Sequence, residues 1–264
     1  MTSFNKQLYY ATGKKLLATY LKYKIQSPLL ITYEDNIDNK LPHKQNFKLY
    51  NLDKDNILQN WLKHFKFIIP KEYGGTALSC SCKLDKSKIN YNWHGHQFGC
   101  PHSEWNRRAS KWFRKIVALN YALTLNPDKI LFLDSDVYFT NHLPEKAINN
   151  IFRENGLIYH YGPYRSRIKT GIESGVIGFA REGGGFQFLE KVIHCFTSGE
   201  FMQFPRWDDG YIFKVLLEKT PKNVLGRRDV VSVERRSSHV VNLGLFRHFL
   251  VHDKGHHSRI HKII

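Results

Sequence analysis

Lys129-Ile130-Leu131-Phe132-Leu133-Asp134-Ser135-Asp136-Val137-Tyr138-Phe139 decides how this chain is read. An apolar run enters two carboxylates spaced i, i+2, and a second apolar run follows. Asn126-Pro127-Asp128 bounds it on one side and Asn141-His142 on the other, so it reads as a buried strand. Packing does not explain acids at the end of such a strand, because an unpaired buried carboxylate is costly. Asp-Ser-Asp is also ordinary turn chemistry. In this setting, however, the pair suits a hard divalent cation, Mg²⁺ or Mn²⁺, which takes one or two carboxylates together with substrate phosphates.

Helical and strand patterns alternate on both sides of this stretch. Upstream, residues 5–24 carry Leu8, Tyr9, Leu16, Leu17, Tyr20, Leu21 and Tyr23 with Lys14, Lys15, Lys22 and Lys24 between them, a basic amphipathic helix weakened by Gly13. Pro28 to Tyr33 reads as a first buried strand ending in Glu34-Asp35-Asn36. Asp53 to Phe67 reads as a helix capped by Asn51 or Asp53. Residues 106–125 give the strongest helix, with Arg107, Lys111, Arg114 and Lys115 to one side. Downstream come a short helix over 144–153, strands at Leu157–His160 and Gly175–Phe179, a helix from Gly183-Gly184-Gly185, and another from Trp207 to Leu217 opening with Asp208-Asp209-Gly210. The alternation predicts a layered α/β fold with a mixed, mainly parallel sheet flanked by helices, in one domain spanning 1–264 with a 70–105 loop insertion and a basic C-terminal tail. In such sheets ligands bind at the carboxyl ends of the strands, where Glu34, Asp35, Asp134 and Asp136 stand.

Lys and Arg number 40 against 23 Asp and Glu, for a net charge of +17, and fourteen His add to it below neutrality. That balance points to a polyanionic partner: nucleic acid, an anionic membrane surface or an acidic glycan. A membrane span and a signal peptide are both absent from the pattern, so a cytoplasmic location is expected. Cys80, Cys82, Cys100 and Cys195 do not form the dense spacing of a disulfide scaffold. Cys80-x-Cys82, His94-x-His96 and Cys100-x-His102 offer six soft ligands within one loop, and four would close a structural Zn²⁺ site. Their spacing matches no standard finger. The other reading is an acceptor loop with reduced thiols, in which Trp93, His94, His96 and Trp105 face a ligand.

In order, Tyr33-Glu34-Asp35, the basic helix, Leu133-Asp134-Ser135-Asp136, Glu173-Ser174-Gly175-Val176-Ile177-Gly178-Phe179, Trp207-Asp208-Asp209-Gly210 and Val251-His252-Asp253-Lys254-Gly255 resemble a nucleotide-sugar-dependent glycosyltransferase of the GT-A fold with its DxD motif. The small members found in phage genomes are the most similar. The resemblance covers the chain from about residue 28, at short motifs only. It implies a nucleotide-sugar donor, a UDP-sugar foremost, and Mn²⁺ or Mg²⁺ held by Asp134, Asp136 and His252. Asp134 and Ser135 would also meet the nucleotide. Lys254 and Gly255 stand in a diphosphate-binding tail whose pattern departs from the family's, since Lys254 precedes Gly255 and His256-His257 follow it.

Arg114 and Lys115 are candidate diphosphate neighbours, with a solvated helix face as the alternative. Tyr33, Glu34 and Asp35 are candidates for the base or ribose. Asp208 is expected to cap its helix. Asp209 matches the acid that inverting members use as general base, and Glu173 is its rival. The His252 pattern leans towards retention and the Asp209 pattern towards inversion. For the acceptor, DNA carrying a hydroxymethylated pyrimidine accounts for the charge, with Arg165, Arg167, Lys169, Arg227, Arg228, Arg235 and Arg236 on phosphates. A cell-surface glycan or lipid-linked saccharide is the alternative. A non-enzymatic nucleic-acid-binding protein is a third reading, but it leaves the Asp134–Asp136 strand and His252 without a role.

Overall fold

The computed structural model describes residues 1–42, 45–77, 80, 82, 96, 99–103, 105–161, 171–230 and 246–252. Three parallel strands open the chain: β1 (Thr2–Phe4), β2 (Leu29–Tyr33) and β3 (Phe47–Asn51), in the order β1-β2-β3. A second set comprises β4 (Lys129–Leu133), β6 (Leu157–Tyr159), β7 (Val176–Ala180) and β8 (Arg227–Asp229), in the order β4-β7-β6-β8. Here β7 runs antiparallel to both β4 and β6, whereas β6 and β8 are parallel.

Main-chain bonds join the two sets. Leu133 N–H donates to Met1 O at 2.9 Å, and the Met1 amine donates to Leu131 O at 2.6 Å. One residue bonding to both Leu131 and Leu133 is the evenly spaced, slanted pattern of a parallel pair. The strands β1 to β4 therefore deliver their carboxyl ends, and with them Glu34, Asp35 and Asp134, to one edge. The antiparallel β7 starts at that same edge, which brings Glu173 there; Asp134 N–H donates to Gly175 O at 2.8 Å.

The fold is mixed α/β, with helices on both faces. Alternation along the strands feeds two cores. Ile130 and Phe132 of β4, Leu157 and Tyr159 of β6, and Ile177 and Phe179 of β7 pack into one core. With them are the helices α3 (Asn56–His64), α4 (Ala109–Thr124), α6 (Gly185–Ser198) and α7 (Asp209–Lys219). Leu133, Ile158 and Val176 face the opposite core with α2 (Lys14–Lys22), α5 (Glu145–Phe152) and the antiparallel pair of β5 (Val137–Phe139) with β9 (Leu250–His252). In the first core Trp61 stacks on Phe113 at 4.3 Å and donates its indole N–H to Phe196 O at 2.9 Å. Each such side chain contributes about 1.5–3 kcal/mol by burial.

Three local expectations are corrected. The 5–24 helix is built in pieces: α1 (Lys6–Leu8), a π-turn over Tyr9–Gly13, then α2. Gly13 sits where the helix closes on Phe4: a Cβ there would lie 3.1 Å from its ring. The expected 53–67 helix starts at Asn56 and is capped by Asp55, whose carboxylate accepts from Leu58 N–H at 2.7 Å. Asn51 instead caps the preceding turn, accepting from Asp53 N–H at 2.9 Å. The short strands β1 and β3 were not among the expected elements. Among the described residues, no helix is long and apolar enough to cross a membrane.

Candidate active site

A cavity of about 970 Å³ opens at the carboxyl edge, at the top of the usual range for small-molecule sites (roughly 300–1,000 Å³). Its floor holds Asp134, Ser135 and Asp136, and Glu34, Glu173 and Asp209 also line it. The turn after β4 is set from behind: Ser135 is buried, and the Thr12 hydroxyl of the π-turn donates to its Oγ at 3.3 Å.

His252 reaches Asp136 through strand pairing. β5 follows directly on Asp136, and β9 pairs with it so that His252 stands opposite Val137. His252 Nε2 lies 3.1 Å from Asp136 Oδ2. Two cis ligands of an octahedral ion, each about 2.1 Å from the metal, lie about 3 Å apart, so this pair fits a divalent cation. Asp134 stands one residue from Asp136 across Ser135. Burial raises the Asp134 pKa, Lys115 opposes that rise, and the charges of Asp136, Asp209 and Glu173 add to it. Four carboxylates sharing one region is the electrostatic setting that a bound cation relieves.

Lys115 lines the cavity, with its ammonium held by side chains around it. Its side chain is 10% exposed, and Nζ lies 2.9 Å from Asp209 Oδ2 and 3.2 Å from Asp134 Oδ1. It also donates to the Ser174 carbonyl and hydroxyl oxygens, each at 3.1 Å. Burial pulls its pKa down, but the two carboxylates outweigh burial and leave it raised. A Lys with a raised folded pKa keeps its contribution below the unfolded value and loses it only as pH rises through the folded one. Lys115 is therefore a cation throughout the neutral range.

Arg114 is likewise held: its Nε donates to Glu34 Oε1 at 2.6 Å and its Nη1 to Ser110 O at 2.8 Å. Burial raises the Glu34 pKa, and Arg114 opposes it. Asp35 adopts φ +64° and is gripped at both ends, accepting from Lys6 N–H at 2.9 Å while its own N–H donates to Asp53 at 2.8 Å. Tyr33 is buried in the second core and is not among the cavity-lining residues.

The Asp208-Asp209-Gly210 turn is explained residue by residue. Asp208 caps α7, accepting from Tyr211 N–H at 3.1 Å, and takes two bonds from Arg206 at 2.8 and 2.9 Å. Asp209 accepts from Gly210 N–H at 2.9 Å as well as from Lys115. Gly210 lets α7 touch the 171–174 segment: a Cβ there would collide with the Ile172 carbonyl oxygen, and Ile172 N–H donates to Gly210 O at 2.9 Å. Gly210→Ala is expected to cost about 1–3 kcal/mol, read by chemical denaturation, because that backbone contact must open.

Arg108 and Lys111 were not among the expected site residues. They line the cavity on the side of Trp105 and Trp112. Burial lowers the Lys111 pKa. The available signal was spacing: 108, 111 and 115 fall on one helical face. Trp105 packs on the Arg206 guanidinium at 4.3 Å, closing that wall. Arg227 and Arg228, expected on phosphates, instead bond main-chain carbonyls, Leu217 O at 2.7 Å and Asn150 O at 2.9 Å respectively. Lys254, Gly255, Trp93, His94, Arg165, Arg167, Lys169, Arg235 and Arg236 lie outside the described residues.

No protein-family model matches the chain, and no curated protein sequence matches it. Among solved structures it is similar to mouse xyloside xylosyltransferase 1 in its apo form, at a TM-score of 0.45 and 11% identity, over 87% of this chain and 83% of that one. A likeness of that degree carries no statement about chemistry.

Proposed function

We propose that this protein is a metal-dependent glycosyltransferase that moves a sugar from a nucleotide-sugar donor to an acceptor hydroxyl. The observation that supports this reading is a nucleotide-sized cavity lined by Asp134 and Asp136, with His252 Nε2 3.1 Å from Asp136 Oδ2. These three would hold the cation, and the imidazole in the set favours Mn²⁺ over Mg²⁺. When bound, the cation supplies charge neutralisation for the departing diphosphate.

The chain's own residues do the rest. Arg108 and Lys111 face the cavity and are the diphosphate contacts in this reading, while Arg114 and Lys115 hold Glu34, Asp134 and Asp209 in place. Glu34, Asp35 and Ser135 stand where the nucleoside would lie. As the sugar–diphosphate C–O bond breaks and the bond to the acceptor oxygen forms, the acceptor proton needs a base. Asp209 and Glu173 both line the cavity and are the candidate bases, and Asp209 would take the proton only by releasing Lys115. Trp105 and Trp112 would line the acceptor side.

The net charge of +17 supports a polyanionic acceptor. We assign DNA bearing a hydroxymethylated pyrimidine, and a surface glycan or lipid-linked saccharide is the competing class. The test is incubation with pooled nucleotide sugars and Mn²⁺, followed by mass spectrometry of hydroxymethylated duplex DNA and of glycan acceptors. The expected result is a hexose-sized mass gain on DNA, with duplex binding that falls steeply with salt. Mass gain on glycan alone would replace the acceptor, and no donor turnover with any acceptor would overturn the enzyme.

A further inference from the structure

Away from the carboxylate floor, Cys80, Cys82, His96 and Cys100 bring three sulfurs and one ring nitrogen to within 4.8 Å of one another. His96 Nδ1 lies 3.1 Å from Cys80 Sγ and 3.7 Å from Cys100 Sγ. In a tetrahedral Zn²⁺ site, with Zn–S of about 2.3 Å and Zn–N of about 2.0 Å, neighbouring ligand atoms lie about 3.5–3.8 Å apart. The observed cluster is within about an ångström of that figure. We propose that these four residues bind a structural Zn²⁺ ion.

The donor set argues for zinc over the oxygen-loving cation of the cavity floor. Thiolates and imidazole are soft to borderline ligands, and three Cys with one His is a standard closed structural set with no position left for substrate. The Cys80-x-Cys82 spacing fits no common finger, and sequence spacing alone therefore understates the site. It closes in three dimensions because both flanks of the segment are pinned to the framework. On the near side Ala77 N–H donates to Ile69 O at 3.0 Å. On the far side Gly99, at φ +78°, donates to Pro205 O at 3.1 Å, and Ser103 N–H donates to Cys100 O at 3.1 Å.

The location gives the ion a purpose. Cys100 lies five residues before Trp105, and Pro205 directly precedes Arg206; these two side chains form the cavity wall. Asn106 reinforces the same junction, accepting from Trp207 N–H at 2.9 Å. A zinc ion here would fasten the chain at Cys80, Cys82 and His96 to the rim over Arg108 and Lys111. As each S–Zn bond forms, the thiol proton passes to solvent, so binding is coupled to proton release but not to any redox change.

The test uses the full-length protein and does not depend on its activity. Elemental analysis after purification, or after reconstitution with Zn²⁺ under reducing conditions, should give one zinc per chain. Titration with an organomercurial should release it in step with modification of three thiols. Substitution with Co²⁺ should produce the intense visible bands of a tetrahedral thiolate site. Cys80→Ser and Cys100→Ser should lose the ion, whereas His102→Ala, Cys195→Ser and Asp136→Ala should keep it; the last separates this site from the cavity floor. Where a cysteine variant fails to fold, the Co²⁺ spectrum and mercurial release of the unaltered protein decide the matter. A reconstituted protein with no bound zinc, or one whose Co²⁺ spectrum lacks thiolate character, would overturn the proposal.

Discussion

Asp136→Ala is expected to lower Mn²⁺-dependent donor turnover by about 10³-fold or more, the loss of roughly 4 kcal/mol of transition-state stabilisation. Asp136 links the cavity to β9: it follows Ser135, lines the cavity, and places Oδ2 3.1 Å from His252 Nε2. Removing it takes a charged oxygen ligand and leaves His252 without a carboxylate to share the ion. Mn²⁺ affinity, measured by calorimetry, should fall with turnover.

The same substitution should not lower the metal-free melting temperature at pH 7, because Asp136 is one of the charges that raise the Asp134 pKa. An acid whose folded pKa is raised costs stability above that pKa, and the cost disappears as pH falls below the unfolded value. Deleting a contributor relieves that cost and offsets the loss of the Asp136–His252 contact. Loss of turnover without loss of stability separates a ligand from a structural residue. Mn²⁺-dependent turnover within tenfold of the parent would place the cation elsewhere.

How much of this site could be read in advance depended on which interactions are local. The β4 strand and its acids were legible because a run of five mainly apolar residues cannot end in two carboxylates without a reason, and turn residues bound it on both sides. The cap at Asp208 was legible for the same local reason. Strand direction was not: periodicity is the same for parallel and antiparallel pairing, so β7 gave no warning that it runs against β4 and starts beside Asp134. β1 is three residues long and β3 half-exposed, too short and too polar to stand out.

The basic face of α4 shows the limit most clearly. Five bases fall between 107 and 115, and the sequence cannot say which meet acids from other elements. Arg114 meets Glu34 across 80 residues, and Lys115 meets Asp209 across a longer interval. Both are internal pairs that still line the cavity, together with Lys111 and Arg108, one turn and two turns back from Lys115. His252 had no local signal beyond its motif. Only the β5–β9 pairing explains why a residue near the end of the described chain stands beside Asp136.

Lys115→Met is expected to cost about 3–5 kcal/mol at pH 7, the usual penalty for removing one partner from a buried ionic cluster. For a chain of this size that corresponds to a fall of about 6–20 °C in melting temperature. Methionine keeps the aliphatic stem but removes the ammonium that lies 3.2 Å from Asp134 and 2.9 Å from Asp209. Asp134 already has a raised pKa in the presence of Lys115, which opposes the rise. Without the ammonium the pKa must climb further. The sign then follows: the charged carboxylates penalise the folded state at neutral pH, and the penalty shrinks as pH falls through the carboxylate range and they protonate.

The deficit relative to the parent should accordingly narrow between pH 7 and pH 4. Mn²⁺ should restore more stability to the variant than it adds to the parent, since the cation and the missing ammonium answer the same negative charge. Thermal denaturation at several pH values, with and without Mn²⁺, reads both effects. A deficit that stays constant across that range would mean that Lys115 matters through its packing on Phe132, where Nζ lies 4.7 Å from the ring centroid, and not as the counter-charge of the site.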